Sequence, residues 1–218
     1  MTARIVPDDE AGRAEAVAVL RSGGVVALPT DTVYGIAVDL ATPGGVERLF
    51  AAKRRPPDKG IMLLLSDGSQ AGQVGVVGVA ARALAEAFWP GGLTLVVPRR
   101  PEVELPAALT AGTPTIGLRL PDHAAPRALA AAVGPLPTTS ANRSGLPEGR
   151  DAADIVGQIG DVIDLVLDGG PAHGGPASTV VDCTGDRPRI LRVGAVAPES
   201  VAAVLAAAGV SPDPGDRG

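Results

Sequence analysis

An α/β fold built on a mixed sheet is what this sequence predicts, on three observations. Short apolar runs of strand length, VVALPT (25–30), IMLLL (61–65) and LTLVV (93–97), are separated by segments with helical spacing of apolar residues. Some strand segments, such as STVVD (178–182) and RILRV (189–193), follow one another with no helix between, so the sheet cannot be purely parallel. No internal repeat, linker or charge block divides the 218 residues, which predicts one domain over 1–210 and a frayed tail over 211–218.

The elements follow in order. Residues 8–22 read as a helix with a weak apolar face of Ala14, Val17, Ala18 and Leu20, stopped by Gly23-Gly24. The strand 25–30 ends at a proline and opens into PTDTVYG. Residues 44–52 place Val46, Leu49 and Phe50 at helical spacing. The continuous run 61–65 suits a buried central strand, 79–88 a helix ended by WPGG, and 93–97 a strand. TIGLRL (115–120) is a strand carrying one arginine, and Asp122 is expected to cap a helix reaching about 132. LPTTS (136–140) is a strand opening into ANRSG. A helix over 152–159, a strand over 162–168, a glycine-rich loop, the strands 178–182 and 189–193, and a helix over 198–208 complete the chain.

Composition excludes several functions. The four aromatic residues, Tyr34, Phe50, Phe88 and Trp89, cannot form the extended stacking platform of a single-strand nucleic-acid binder. A net charge of −5 argues against a protein dedicated to gripping a phosphate backbone, although a local basic pocket is compatible with it. The one cysteine, Cys183, leaves no partner for an internal disulfide or a thiolate zinc cage, and reads as a buried small apolar residue. The N-terminal segment has no apolar signal region, and no apolar run reaches the roughly 18 residues of a membrane helix. The expectation is a cytoplasmic protein without membrane contact. P-loop, dinucleotide-fingerprint, HExxH and GxSxG motifs are absent.

Five segments carry residues suited to chemistry. Arg48, Lys53, Arg54, Arg55 and Lys59 stand against Asp58 alone. Such a cluster is either a solvated complement to a helix C-terminus or a polyphosphate clamp, with arginine bidentate and lysine a point charge. Arg119 interrupts an apolar strand, which calls for a salt bridge, an edge position or a carboxylate ligand. Thr138, Thr139, Ser140 and Asn142 gather at a strand's carboxyl end, where phosphate or ribose is bound in open α/β sheets, and where a capped turn uses the same residues. Thr30, Asp31, Thr32 and Tyr34 follow a strand in the same way. Ser178 precedes Arg192 by fourteen residues. His123 reads as a solvated or capping residue, His173 as part of a glycine-rich loop, and Trp89 as a core anchor.

Together these segments resemble the YrdC-like threonylcarbamoyl-AMP synthases. The matching pieces are GGVVALPTDTVYGIAVD, LFAAKRRPPDKGIMLLLSD, FWPGGLTLVV, TIGLRLPDH, TTSANRSGLP, and ASTVVDCTG with RILRVG, spread over residues 23–194. The resemblance implies a twisted open mixed sheet flanked by helices with a positively charged concave face, in the short, single-domain form of the family. It implies synthesis of threonylcarbamoyl-AMP and pyrophosphate from L-threonine, bicarbonate and ATP, with Mg²⁺ carried on the phosphates. The product would pass to a tRNA threonylcarbamoyl transferase complex, with direct tRNA binding left open.

Residue by residue, the resemblance assigns Lys53 and Arg55 to the reacting carbamate and phosphates. It assigns Arg55, Lys59, Thr115, Ser140, Asn142 and Arg192 to ATP, and Thr32, Arg119, Thr138 and Ser178 to threonine. Two positions depart from the pattern. Leu64 stands where some members carry a threonine-contacting histidine, and Glu148 stands where others carry Ser or Thr. Two competing expectations remain: an RNA-binding module on the same fold without ATP turnover, and a related enzyme such as a carbamoyl transferase subdomain.

Overall fold

The computed structural model describes residues 2–54, 60–172 and 175–213. Ten strands form one mixed sheet in the order β1-β8-β2-β3-β7-β4-β6-β5-β9-β10. They are β1 (Arg4–Pro7), β2 (Val26–Leu28), β3 (Gly35–Ala37), β4 (Met62–Leu64), β5 (Leu93–Pro98), β6 (Thr115–Arg119), β7 (Leu136–Ser140), β8 (Leu165–Asp168), β9 (Thr179–Asp182) and β10 (Arg189–Arg192). The helices are α1 (Glu10–Arg21), α2 (Gly45–Lys53), α3 (Ser69–Val74), α4 (Val79–Phe88), α5 (Ala107–Thr110), α6 (Ala124–Val133), α7 (Ala152–Ile159) and α8 (Pro198–Ala207). The α/β class and the mixed sheet are as expected. β1, β3, α3 and α5 are additions, each of six residues or fewer and so without a legible period.

Caps explain where several helices begin. Asp9 accepts from the Gly12 amide at 2.8 Å and starts α1, and Asp151 accepts from Asp154 at 2.9 Å and starts α7. The expected cap of α6 is corrected. His123, not Asp122, occupies the N-cap, with Nδ1 accepting from the Ala125 amide at 3.2 Å. The buried stripe of α1 is also corrected, from Ala14, Val17, Ala18 and Leu20 to Gly12, Ala16 and Leu20. These lie four residues apart, and Gly12 is needed because a Cβ there would sit 2.0 Å from the Pro7 carbonyl oxygen.

Register divides the side chains between two faces. Pairing of Met62 with Gly117 and Thr138, of Val96 with Gly117, and of Thr138 with Ala37 puts these residues on one face. The opposite face carries Ala27, Ile36, Leu63, Leu95, Leu118 and Val181, packed with side chains from α2, α4, α7 and α8 into the larger core. The first face changes character along the sheet. Toward β8 and β2 it offers Leu165, Leu167, Val26 and Leu28, covered by Leu20 of α1 and Leu129 of α6. Each of these leucines is fully buried, worth about 1.5–3 kcal/mol apiece. Toward β6, β5 and β9 the same face turns to Thr, Gly, Ser and Arg, and a cavity of about 390 Å³ lies over it.

Candidate functional site

The cavity floor is made by alternate residues of four strands: Met62 of β4, Thr94 and Val96 of β5, Thr115, Gly117 and Arg119 of β6, and Thr138 and Ser140 of β7. Ser178, just before β9, and Arg192, at the end of β10, close one side, while Glu148 lies at its edge. Six residues that the resemblance assigned, Thr115, Arg119, Thr138, Ser140, Ser178 and Arg192, therefore share one wall. Their separation in sequence is erased by the sheet order, which sets β7, β4, β6, β5 and β9 side by side.

Arg119 is only 2% exposed and is held from three directions. Its Nε donates to the Gly91 carbonyl at 3.0 Å, Nη1 to Thr32 Oγ1 at 2.8 Å and Nη2 to Asp31 Oδ1 at 2.7 Å. Burial pulls the guanidinium below its ordinary value, Asp31 opposes that, and the charge of Arg192 adds to the lowering. The group nevertheless stays charged. The sequence left Arg119 open between a salt bridge and a ligand position; its pair with Asp31 and its place on the cavity wall give it both features. Thr32 stands behind it, buried, its hydroxyl also 3.1 Å from that of Thr30.

Lys53 ends α2 and is 2% exposed, which rules out the solvated alternative for this cation. Its Nζ donates to the Ser140 carbonyl at 2.6 Å, to Ser140 Oγ at 2.9 Å, to Asn142 Oδ1 at 2.9 Å and to Thr139 Oγ1 at 3.4 Å. Asn142 in turn donates to the Leu146 carbonyl at 2.5 Å. Lys53 and Asn142 thus sit behind Ser140 and fix the loop after β7. The rest of the cationic cluster divides. Arg48 donates to the Gly23 carbonyl and pairs with Asp164 at 3.7 Å, bracing the scaffold, and Arg54 is exposed. Arg55 and Lys59 lie outside the described residues, as does His173.

The AST segment splits its two hydroxyls between faces. Ser178 points to the cavity, where its Oγ lies 2.8 Å from Thr94 Oγ1 and accepts from Arg192 Nη2 at 3.1 Å. Thr179 turns away, donating to the Val196 carbonyl at 2.6 Å and accepting from the amides of Gly194 and Val196 at 2.9 and 3.0 Å. That knot holds the turn after β10, while Arg192 reaches the Ser178 carbonyl through Nε at 3.1 Å and Nη2 at 2.8 Å. A register shift between Ile190 and Arg192 helps aim the arginine.

Thr94, Met62, Thr110 and Thr113 line the cavity without having been singled out in the sequence, whereas Asp31, singled out with its turn but given no role, supports it through Arg119. Thr94 did carry a signal, a hydroxyl inside an apolar strand. Thr110 and Thr113 sit near α5, which had none. Among the outlying residues, Cys183 is half-buried rather than buried, and burial with Asp182 beside it pushes its thiol up to about 12. Trp89 packs against the larger core and donates to the Leu93 carbonyl at 2.8 Å. No helix among the described residues is long and apolar enough to cross a membrane.

A family model described as Telomere recombination (Sua5/YciO/YrdC) matches residues 18–194. The Bacillus subtilis threonylcarbamoyl-AMP synthase is 38% identical over 194 residues, 88% of this chain and 56% of that protein. The putative threonylcarbamoyl-AMP synthase of Mycobacterium leprae is 41% identical over 201 residues, 91% of this chain and 90% of that protein. The crystal structure of Pyrococcus abyssi Sua5 complexed with L-threonine has a TM-score of 0.87 at 31% identity, covering 98% of this chain and 62% of that one. The chain therefore spans little more than half of the Bacillus relative and nearly all of the Mycobacterium one. On a family model that takes in most of its length and relatives at about 40% identity, the chain belongs to the Sua5/YciO/YrdC family.

Proposed function

We propose that this chain is an L-threonylcarbamoyladenylate synthase, a nucleotidyltransferase whose product serves threonylcarbamoyladenosine modification of tRNA. The observation that carries the reading is the shared cavity wall. It unites the residues assigned to threonine (Arg119, Thr138, Ser178) with residues assigned to ATP (Thr115, Ser140, Arg192). The names of the relatives point the same way.

In this reading threonine's unprotonated amine reacts with CO₂, releasing a proton to water, or with bicarbonate, releasing a water molecule, to give a carbamate. A carbamate oxygen then attacks the α-phosphorus of ATP, the bond to the bridging oxygen breaks and pyrophosphate leaves; Mg²⁺ on the phosphates would offset their charge. Negative charge approaches negative charge, so the site's contribution is cations and fixed donors. Arg119 holds the threonine carboxylate, and Arg192 lies on the nucleotide side. Lys53 and Arg55 are the cations assigned to the reacting groups, Lys53 acting through the loop that it fixes behind Ser140. The concave face would accordingly be electropositive, and residues 1–210 would act as one catalytic domain. Magnesium would be carried on the triphosphate. Hand-off of the labile adenylate to a transferase acting on tRNA completes the proposal.

The test is pyrophosphate release from ATP and Mg²⁺ with threonine and bicarbonate each added or withheld. Release that requires both supports the reading; release that ignores threonine, or none under any combination, overturns it. The RNA-binding alternative gains nothing from the cavity, whose wall carries no aromatic side chain among the described residues.

A further inference from the structure

One pair of cavity hydroxyls, Thr94 on the floor and Ser178 at its side, keeps unused hydrogen-bonding capacity. Thr94 is 4% exposed and Ser178 1% exposed, and both line the cavity. Each hydroxyl has one proton and two lone pairs. The bond between them, at 2.8 Å, uses one of their two protons. Ser178 Oγ also accepts from Arg192 Nη2 at 3.1 Å. If Thr94 donates to Ser178, the Ser178 proton is left without an acceptor among the described residues. If Ser178 donates, the Thr94 proton is left with only Met62 Sδ at 3.6 Å, a weak acceptor. In either sense the pair keeps one O–H and at least one lone pair for the cavity. A buried polar group left in that state costs free energy until something pairs with it.

That combination of donor and acceptor matches a neutral hydroxyl better than a carboxylate, which only accepts. The carboxylate has a charged partner nearby in Arg119. The pairing of Leu95 with Leu118 puts Thr94 and Arg119 at neighbouring positions on the same face of β5 and β6. Adjacent strands lie about 4.8 Å apart, a span that one amino acid bridges from carboxylate to β-substituent. Met62 lines the floor on the next strand, and Gly117 between them leaves space a side chain would fill. A Cβ at Gly117 would lie 3.4 Å from Met62 Cβ and 3.6 Å from Thr94 Cγ2.

We infer that Thr94, acting with Ser178, reads the β-hydroxyl of the amino-acid substrate, and that Met62 and Gly117 receive its β-methyl group. The inference rests on the proposed function for the identity of the amino acid. It makes Thr94 a specificity-determining residue: threonine satisfies the pair, valine leaves it unpaired, and serine leaves the Met62 surface bare.

The experiment is calorimetric binding of L-threonine, L-valine and L-serine to the whole protein in the presence of ATP and Mg²⁺, alongside pyrophosphate release. Wild type is expected to prefer threonine over valine by at least tenfold. Thr94→Val should remove most of that preference while ATP affinity holds, and Thr94→Ser should restore it. Thr94→Ala gives the same reading should the valine variant not fold. Met62→Ala should narrow the preference for threonine over serine and leave threonine over valine alone. A Thr94→Val or Thr94→Ala protein that keeps the wild-type threonine-to-valine ratio overturns the inference. If that result comes with threonine-dependent pyrophosphate release, the proposed function stands. A wild type that binds none of the three amino acids and releases no pyrophosphate overturns both.

Discussion

Arg119 Nη2 lies 2.7 Å from Asp31 Oδ1, an ion pair that ties the loop after β2 to strand β6 in the middle of the sheet. Lysine cannot reproduce it, because one ammonium cannot reach Gly91, Thr32 and Asp31 along the diverging directions of a guanidinium. Arg119→Lys is expected to raise the KM for threonine by about tenfold or more while the KM for ATP stays within about twofold, in steady-state pyrophosphate assays. Asp31→Ala should lower stability in urea unfolding. The loss should fall short of the roughly 3–5 kcal/mol of a fully buried pair, since Asp31 retains some solvent contact.

Lys53→Ala removes the cation that fixes both Ser140 and Asn142. Its activity should drop by about 10²-fold or more, the scale of losing a well-placed donor at a site of developing charge. Circular dichroism should show the fold retained. Wild-type turnover in this variant would remove Lys53 from the site.

Gly194 has no room for a side chain: a Cβ would lie 2.0 Å from the Ala177 carbonyl oxygen and 2.6 Å from the Ser178 carbonyl carbon. Gly194→Ala must push the turn away from Ser178, at about 1–3 kcal/mol of stability. Because that turn directly follows Arg192, affinities for threonine and for ATP should weaken together, which separate titrations of the two would show.

Tyr34 is buried, donates to the Gly170 carbonyl at 2.6 Å and accepts from the Gly169 amide at 3.0 Å. Burial is the main reason its phenol is pushed up to about 12. A folded-state value above the unfolded one of about 10 stabilises the protein below pH 10, and that contribution is lost as pH rises through 12. Tyr34→Phe should therefore cost about 1–3 kcal/mol at pH 8 and flatten the fall of stability between about pH 10 and 12. Chemical denaturation across that range is the measurement.

The α/β class and most elements were legible because runs such as IMLLL and the spacing of Val46, Leu49 and Phe50 have clear periods. β3 was not, since its three residues follow a polar turn and it is set by pairing with β2 and β7. Ser140, Ser178 and Arg192 were legible through their motifs and Arg119 through its oddity in a strand. Thr94 carried the same kind of oddity, masked by larger apolar neighbours. Asp31 has the character of a turn residue until tertiary structure brings Arg119 to it. That Lys53 works from behind Ser140 is a long-range relation, which no local pattern encodes.

Leu64 and Met62 are two residues apart on one side of β4, as are Leu136 and Thr138 on β7. Leu64 and Leu136 pack beneath helices, whereas Met62 and Thr138 face the cavity. Core and binding floor are therefore written in one reading frame. Deleting or inserting a single residue in either strand would carry floor residues into the opposite core and core residues onto the floor in the same stroke. Descendants of this chain can change what the cavity accepts by exchanging side chains at alternate positions, but not by lengthening or shortening the strands that carry them.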